Sequence, residues 1–180
     1  MLDPVSARRI RLLGTDVDGC LTDNGLYIGE VAGQRVEFKR FDVLDGLAAT
    51  LLRNAGIEMC WVSGRISSAT ALRGTELKVS AVLQVSSTGK VAAVDALLAE
   101  RGMTWEEMIF IGDDLPDIPV LRRVGLPIAV ANARPEVKAV CQYVTQASGG
   151  HGALREVVEQ LLQARGEWEL AAQHYIGADA

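Results

Sequence analysis

The sequence has no apolar run approaching the roughly 18 residues a membrane-spanning helix needs, so a bilayer anchor is not expected. It has no excess of positive charge. Lys and Arg number 18 against 23 Asp and Glu, a net charge of −5, which argues against a nucleic-acid footprint. Its three cysteines, Cys20, Cys60 and Cys141, have no metal-like spacing. Their odd number, and a start (Met1-Leu2-Asp3-Pro4) unlike a secretory leader, read as reduced thiols in a cytoplasm. There are no internal repeats and no low-complexity segments. The two histidines, His151 and His174, fall in no catalytic pattern and read as incidental.

What is present fits one globular domain of 180 residues, 49% hydrophobic and 23% charged, long enough to bury a single core. Strand-like and helical stretches alternate. Residues 9 to 16 read as a first buried strand. Leu26–Gly29 and Arg35–Phe41 flank Glu30–Gln34 as a β-hairpin spanning about 25–41, its second arm alternating apolar and charged residues. Leu47–Ala55 is a helix closed by Gly56, and Ile57–Val62 a strand. Ser67–Gly74 is a short helix, Val79–Val85 a strand and Lys90–Arg101 a helix. Thr104 to Glu107 has the form of a capping box. Met108–Ile111 is a strand, Leu115–Val124 a short or irregular helix, Leu126–Val130 a strand and Pro135–Val140 a helix. Tyr143–Thr145 is a last strand and Ala153–Arg165 the terminal helix, while residues 166–180 read as a possible tail. This alternation means βαβ units: an α/β fold with a doubly wound, mostly parallel sheet flanked by helices, a Rossmann-like arrangement with a protruding hairpin.

Open α/β sheets bind ligands outside the carboxyl ends of their strands, and that is where the polar residues fall. The first strand delivers Asp16 and Asp18, followed by Gly19. Two acids so spaced repel unless a proton or a cation such as Mg²⁺ lies between them. The next strand delivers Ser63 and Gly64, with Arg65 alongside. Another delivers Asp113, Asp114 and, one turn on, Asp117. Lys90 opens a helix at the same end of the sheet. Each piece alone has a plain structural reading: Asp-x-Asp-Gly and Ser-Gly as turns, Lys90 as a solvated helix residue, Gly-Asp-Asp-Leu-Pro-Asp as a capped helix start. An EF-hand is excluded because Cys20 and Leu21 stand where that loop needs a ligand and a glycine. A receiver domain is excluded because its phosphate acceptor lies in mid-chain, not in the leading acid pair. Together the residues suit phosphate chemistry, with carboxylates to hold Mg²⁺ and attack phosphorus, and a hydroxyl, a backbone N–H and a lysine to neutralise phosphoryl oxygens.

The four segments resemble the motifs of the haloacid dehalogenase superfamily. Asp16-Val17-Asp18-Gly19-Cys20-Leu21-Thr22 is similar to the first, Ser63 to the second, Lys90 to the third, and Gly112-Asp113-Asp114-Leu115-Pro116-Asp117 to the fourth. The resemblance implies that Asp16 is the nucleophile and that Asp18 is the acid/base, binding metal through its backbone carbonyl. It implies that Asp113 completes the Mg²⁺ ligands and that Asp117, or Asp114, supports the metal through waters. Ser63, Gly64 and Lys90 would hold the phosphoryl group. With no room for a cap between the motifs, the chain looks like the capless branch. Within it, Phe41, Asp45-Gly46, Arg65, Arg73, Asn132 and Gly149-Gly150-His151-Gly152 resemble phosphatases acting on 3-deoxy-D-manno-octulosonate 8-phosphate in lipopolysaccharide biosynthesis. That resemblance implies a homotetramer whose hairpin borders a neighbour's site, and Arg65 as partner of the substrate carboxylate. Leu83–Gly89, which lacks the family's usual tyrosine and is one residue longer, departs from the pattern. The alternatives are a nonulosonate 9-phosphate or another small phosphate ester as substrate, or a non-catalytic oligomerising domain of the same fold.

Overall fold

A computed structural model describes residues 2–177 of the chain. The central sheet starts with β1 (Leu12–Thr15), every residue of it buried. The hairpin follows as β2 (Tyr27–Val31) and β3 (Gln34–Phe38), then α2 (Val43–Asn54), α1 (Pro4–Arg9) having preceded β1. Next come β4 (Glu58–Ser63), α3 (Ser68–Glu76), β5 (Ala81–Gln84) and α4 (Lys90–Arg101). The chain continues through β6 (Met108–Gly112), α5 (Ile118–Leu121), β7 (Leu126–Ala129), α6 (Pro135–Lys138) and β8 (Tyr143–Val144). It closes with α7 (Ala153–Arg165) and α8 (Trp168–Ile176). No described helix is long and apolar enough to cross a membrane.

The sheet order is β5-β4-β1-β6-β7-β8, every pairing parallel. β1 lies in the middle. The chain builds outwards on one side through β4 and β5, then returns to build on the other through β6, β7 and β8. The reversal falls between β1 and β6, where an open parallel sheet has its crevice. Right-handed crossovers then put α2 on one face and α4 with α5 on the other. Helix α7 packs on α2 and also touches α1 and α8.

Local chemistry explains the boundaries. Asp42 caps α2, its carboxylate accepting the Leu44 N–H at 2.8 Å, so this helix starts earlier than the expected Leu47. Ser67 caps α3 and Gly102, at φ +59°, ends α4 in the left-handed conformation. Residues 9 to 11 are not strand: Arg9 ends α1, with Asp3 as its cap and Pro4 in its first turn. The stretch 166–180, expected as a tail, is helical over Trp168–Ile176, where Ala171 and Ala172 are buried and Trp168 stacks under the Arg155 guanidinium at 5.6 Å. Residues 178–180 of that stretch, and the side chain of His174, lie outside the described residues. Leu115–Val124 divides into a 3₁₀ turn at Leu115–Asp117 and the single-turn α5, as its two prolines require.

The hairpin turns at Ala32 and Gly33, both at positive φ (52° and 76°), the backbone that a two-residue turn between twisted strands needs. A Thr22–Phe41 bridge closes its base, and Phe41 stacks on the buried Trp61 with ring centroids 6.0 Å apart. Its outer face leaves Tyr27, Val31 and Phe38 exposed, and Ile28 is exposed on the opposite face, across from Glu37.

The glycine loop before α7 fits against the loop after β1. A Cβ on Gly149 would overlap the Gly19 carbonyl, and one on Gly150 would overlap Thr22 and Asp23 backbone atoms. The obstacle is backbone, which cannot swing aside. Gly149→Ala is therefore expected to lower stability by roughly 2–3 kcal/mol and to reduce turnover by displacing the loop that carries Asp18. Urea unfolding with a parallel activity assay measures both; an unchanged midpoint would mean that the two loops do not pack as described.

Candidate active site

Asp16 follows the last residue of β1. Its N–H donates to the Ile111 carbonyl at 2.9 Å, which ties the start of the loop to the edge of β6. Gly19, at φ +94°, continues the turn, and a Cβ there would overlap the Asp113 carboxylate. Both backbone freedom and close approach therefore call for glycine at this position. Asp113 follows β6. Asp117, in the 3₁₀ turn beyond it, accepts the Asp113 N–H at 3.0 Å and the Asp114 N–H at 3.4 Å through Oδ2. The Asp114 carboxylate instead accepts the Leu115 N–H as a cap.

Lys90 is delivered by the 3₁₀ turn Ser87–Gly89 at the head of α4. Its Nζ donates to Asp16 Oδ1 and to Asp117 Oδ1, each at 2.8 Å. All three side chains are buried. The departure in Leu83–Gly89 thus leaves the lysine in place and sets Ser87 on the cavity wall. That cavity, about 210 Å³, is lined by Asp16, Asp18, Asn24, Gly64, Arg65, Ser87, Lys90, Asp113, Asp114, Pro116 and Asp117.

The electrostatics are those of carboxylates crowded out of water. Burial, reinforced by Asp117, pushes Asp16 up to about 6 against the pull of Lys90. Burial, then Asp16 and Asp117, pushes Asp113 up to about 8. For Lys90, burial alone would depress the ammonium, but Asp16 and Asp117 more than reverse it and raise its pKa. Asp16, Asp113 and Asp117 each offer an oxygen within 4.8 Å of the others, a set of hard donors suited to Mg²⁺. Cys20, next to them, is pushed well up by burial and contributes a neutral thiol, 3.6 Å from Asp113 Oδ1.

Of the residues expected from sequence, Asp16, Asp18, Gly64, Arg65, Lys90, Asp113 and Asp117 line one cavity. Ser63 is fully buried beneath its rim. Its Oγ accepts the Arg65 N–H at 3.2 Å and donates to the Arg65 carbonyl at 3.0 Å, so it shapes the turn that presents Gly64 and Arg65. His151 is occupied by the Gly149 carbonyl, 2.9 Å from Nδ1, and does not line the cavity. The sequence reading missed Asn24 and Ser87 on the wall, and Glu37 and Lys39 behind it. Lys39 Nζ donates to Asp18 Oδ1 at 2.6 Å, and Arg65 Nη2 donates to Glu37 Oε2 at 2.7 Å. In sequence these two read only as the charged face of a hairpin arm, and no spacing ties them to Asp18.

The chain is similar to several known proteins in sequence and fold. A family model described as haloacid dehalogenase-like hydrolase matches residues 78–156. The 3-deoxy-D-manno-octulosonate 8-phosphate phosphatase KdsC of Escherichia coli K12 is 38% identical over 165 residues, 92% of this chain and 86% of that protein. Among solved structures, a probable YrbI-family phosphatase from Pseudomonas syringae superposes with a TM-score of 0.90 at 38% identity, covering 98% of this chain and 97% of the other. The 3-deoxy-D-manno-octulosonate 8-phosphate phosphatase of Moraxella catarrhalis, solved in complex with a magnesium ion, a phosphate ion and a KDO molecule, superposes at 0.87 with 34% identity, covering 93% of this chain and 94% of the other.

The raised carboxyls have a signed consequence. The folded state holds protons that the unfolded chain, with Asp near 3.8, has already released. Without metal, these groups make stability fall as pH rises from about 4 to about 8. A divalent cation held by Asp113 would displace its proton, so its binding would tighten over the upper part of that range. Thermal unfolding with and without Mg²⁺ should give a larger stabilising shift at pH 8 than at pH 6; an equal or smaller shift at pH 8 would exclude Asp113 as a ligand.

Proposed function

The chain belongs to the haloacid dehalogenase-like hydrolases and is a phosphoric monoester hydrolase of that family; from this we propose that it hydrolyses an acidic sugar phosphate, 3-deoxy-D-manno-octulosonate 8-phosphate, through an aspartyl-phosphate on Asp16. The observation that carries the reading is the buried Lys90 bridging Asp16 and Asp117 beside Asp113, at the β1–β6 crevice.

The residues fit a Mg²⁺ ion. Asp16 and Asp113 would hold it with carboxylate oxygens and Asp18 with its main-chain carbonyl, Asp117 supporting from behind, since three buried acids share the single positive charge of Lys90. When bound, the ion offsets the negative charge of phosphate and carboxylates. The chain's own residues do the rest. Lys90 holds the Asp16 carboxylate in place and keeps it charged. An Asp16 oxygen forms a bond to phosphorus as the bond to the sugar oxygen breaks, and Asp18 gives that oxygen its proton. Water then attacks phosphorus, its proton passes to Asp18, and the Asp16 carboxylate is regenerated. Lys90 and the Gly64 N–H face the phosphoryl oxygens, and Ser63, buried and bonded to the Arg65 backbone, holds the turn that presents Gly64.

Substrate choice falls to Arg65. Its guanidinium is half-exposed at the cavity mouth, 3.7 Å from Asp18 Oδ2 and fixed on its other side by Glu37, which leaves an exposed planar donor for a carboxylate. The chain, residues 1–180, is read as one capless domain that forms a homotetramer through the exposed apolar face of the 25–41 hairpin, in a cytoplasm where its three thiols stay free.

A panel of sugar phosphates with Mg²⁺, including octulosonate 8-phosphate and a nonulosonate 9-phosphate, tests the reading by phosphate release. The octulosonate ester should be turned over best. Asp16→Asn should lose on the order of 10³-fold or more in kcat, and Arg65→Ala should cost the acidic sugars far more than a neutral phosphate ester. Undiminished turnover by Asp16→Asn would refute the nucleophile; equal losses for Arg65→Ala would remove it from substrate choice.

A further inference from the structure

We propose that Lys39 is the positioning residue for the acid/base Asp18, so that the hairpin of the same chain sets the geometry of leaving-group protonation. The inference rests on the phosphatase reading above and adds to it a residue outside the motifs.

Lys39 follows the last residue of β3 and points inward. Its side chain has no exposed surface, an uncommon state for lysine that requires paired charge around it. Three acceptors surround the ammonium: Asp18 Oδ1 at 2.6 Å, Thr70 Oγ1 of α3 at 3.1 Å and Glu37 Oε1 at 3.8 Å. It does not line the 210 Å³ cavity. It lines instead the groove between the hairpin and α3. In the 210 Å³ cavity a substrate meets Asp18, and Lys39 acts there through that carboxylate.

The contact is one-sided. Oδ1 of Asp18 is anchored, whereas Oδ2 has only Arg65 Nη1 nearby, at 3.7 Å, beyond hydrogen-bonding distance. Asp18 lies in a turn after β1, and its carboxylate is free to rotate about two torsions unless something holds it. Fixing one oxygen presents the other to the cavity in a single orientation, and misplacing a reacting group by about 1 Å can cost about 10²-fold in rate. Glu37 performs the matching task for Arg65, and Ser67 Oγ donates to Glu37 Oε1 at 2.8 Å. One hairpin arm thus orients both the acid/base and the exposed cation, and α3 orients the arm through Thr70 and Ser67.

Leaving-group dependence separates this role from a structural one. An alkyl ester such as octulosonate 8-phosphate needs its oxygen protonated as the P–O bond breaks; p-nitrophenyl phosphate, whose leaving group is stable as an anion, does not. The quantity to compare is kcat/KM, which ends at phosphoryl transfer to Asp16. Lys39→Met should lower it by about 10- to 100-fold for the sugar ester and by less than about threefold for the aryl ester, and Lys39→Arg should restore part of the loss. Thr70→Val, which leaves the lysine in place, should show the same pattern more weakly, and it carries the test if Lys39→Met does not fold by circular dichroism. Equal losses on both esters, or none on the sugar ester, overturn the proposal. A wild-type protein that turns over neither ester overturns the phosphatase reading and this inference with it.

Discussion

The ion pairs from Lys90 to Asp16 and Asp117 are the interaction on which the site depends. Asp16, Asp113 and Asp117 are buried within a few ångströms of one another, an arrangement that like-charge repulsion and desolvation would otherwise disperse. One ammonium, itself buried, bridges two of them at 2.8 Å, and main-chain N–H groups satisfy the far oxygen of Asp117. What remains uncompensated is Asp113, the group pushed furthest up and therefore the place where a cation has most to gain. The balance between a bridging lysine and one unsatisfied acid turns a cluster of carboxylates into a metal and phosphate site.

This arrangement is possible because of where the sheet reverses. β1 and β6 are neighbours in register, Thr15 opposite Ile111, although about a hundred residues separate them in the chain. Their loops are brought so close that Gly19 has no room for a side chain against Asp113, and the loop before α7 meets them so closely that Gly149 has none against Gly19. The crevice is thus made by close backbone approach from three loops. Its acids are held by hydrogen bonds from those same loops, which limits how far any one of them can move.

The hairpin joins the site to the surface. Its outer residues are apolar and exposed, and its inner charges hold Asp18 and Arg65. Packing against the apolar face would therefore act on the same arm whose Lys39 holds the Asp18 carboxylate.

Much of this was legible in the sequence. The alternation of apolar strands with helices closed by glycine specified a parallel α/β sheet. Lys90–Arg101 and Ala153–Arg165 are helices with the bounds their periodicity and flanking glycines imply. Asp16, Asp18, Lys90 and Asp113 could be named because strand ends in such a sheet share one edge. The errors arose where local signals are weak: α8 carries no clear pattern and is held by Trp168 and two buried alanines, and α2 starts at Val43 under the Asp42 cap rather than at Leu47. Asp45, within α2, is buried and accepts the Arg155 N–H of α7 at 2.9 Å. Only the tertiary structure decided that Ser63 serves the Arg65 turn, that Asp117 shares Lys90 with Asp16, and that Lys39 reaches Asp18. The physical reason is the same in each case. Chain periodicity and strand ends are local properties that a sequence encodes directly, whereas the partner of a buried charge is set by which distant loops fold to within 3 Å of it.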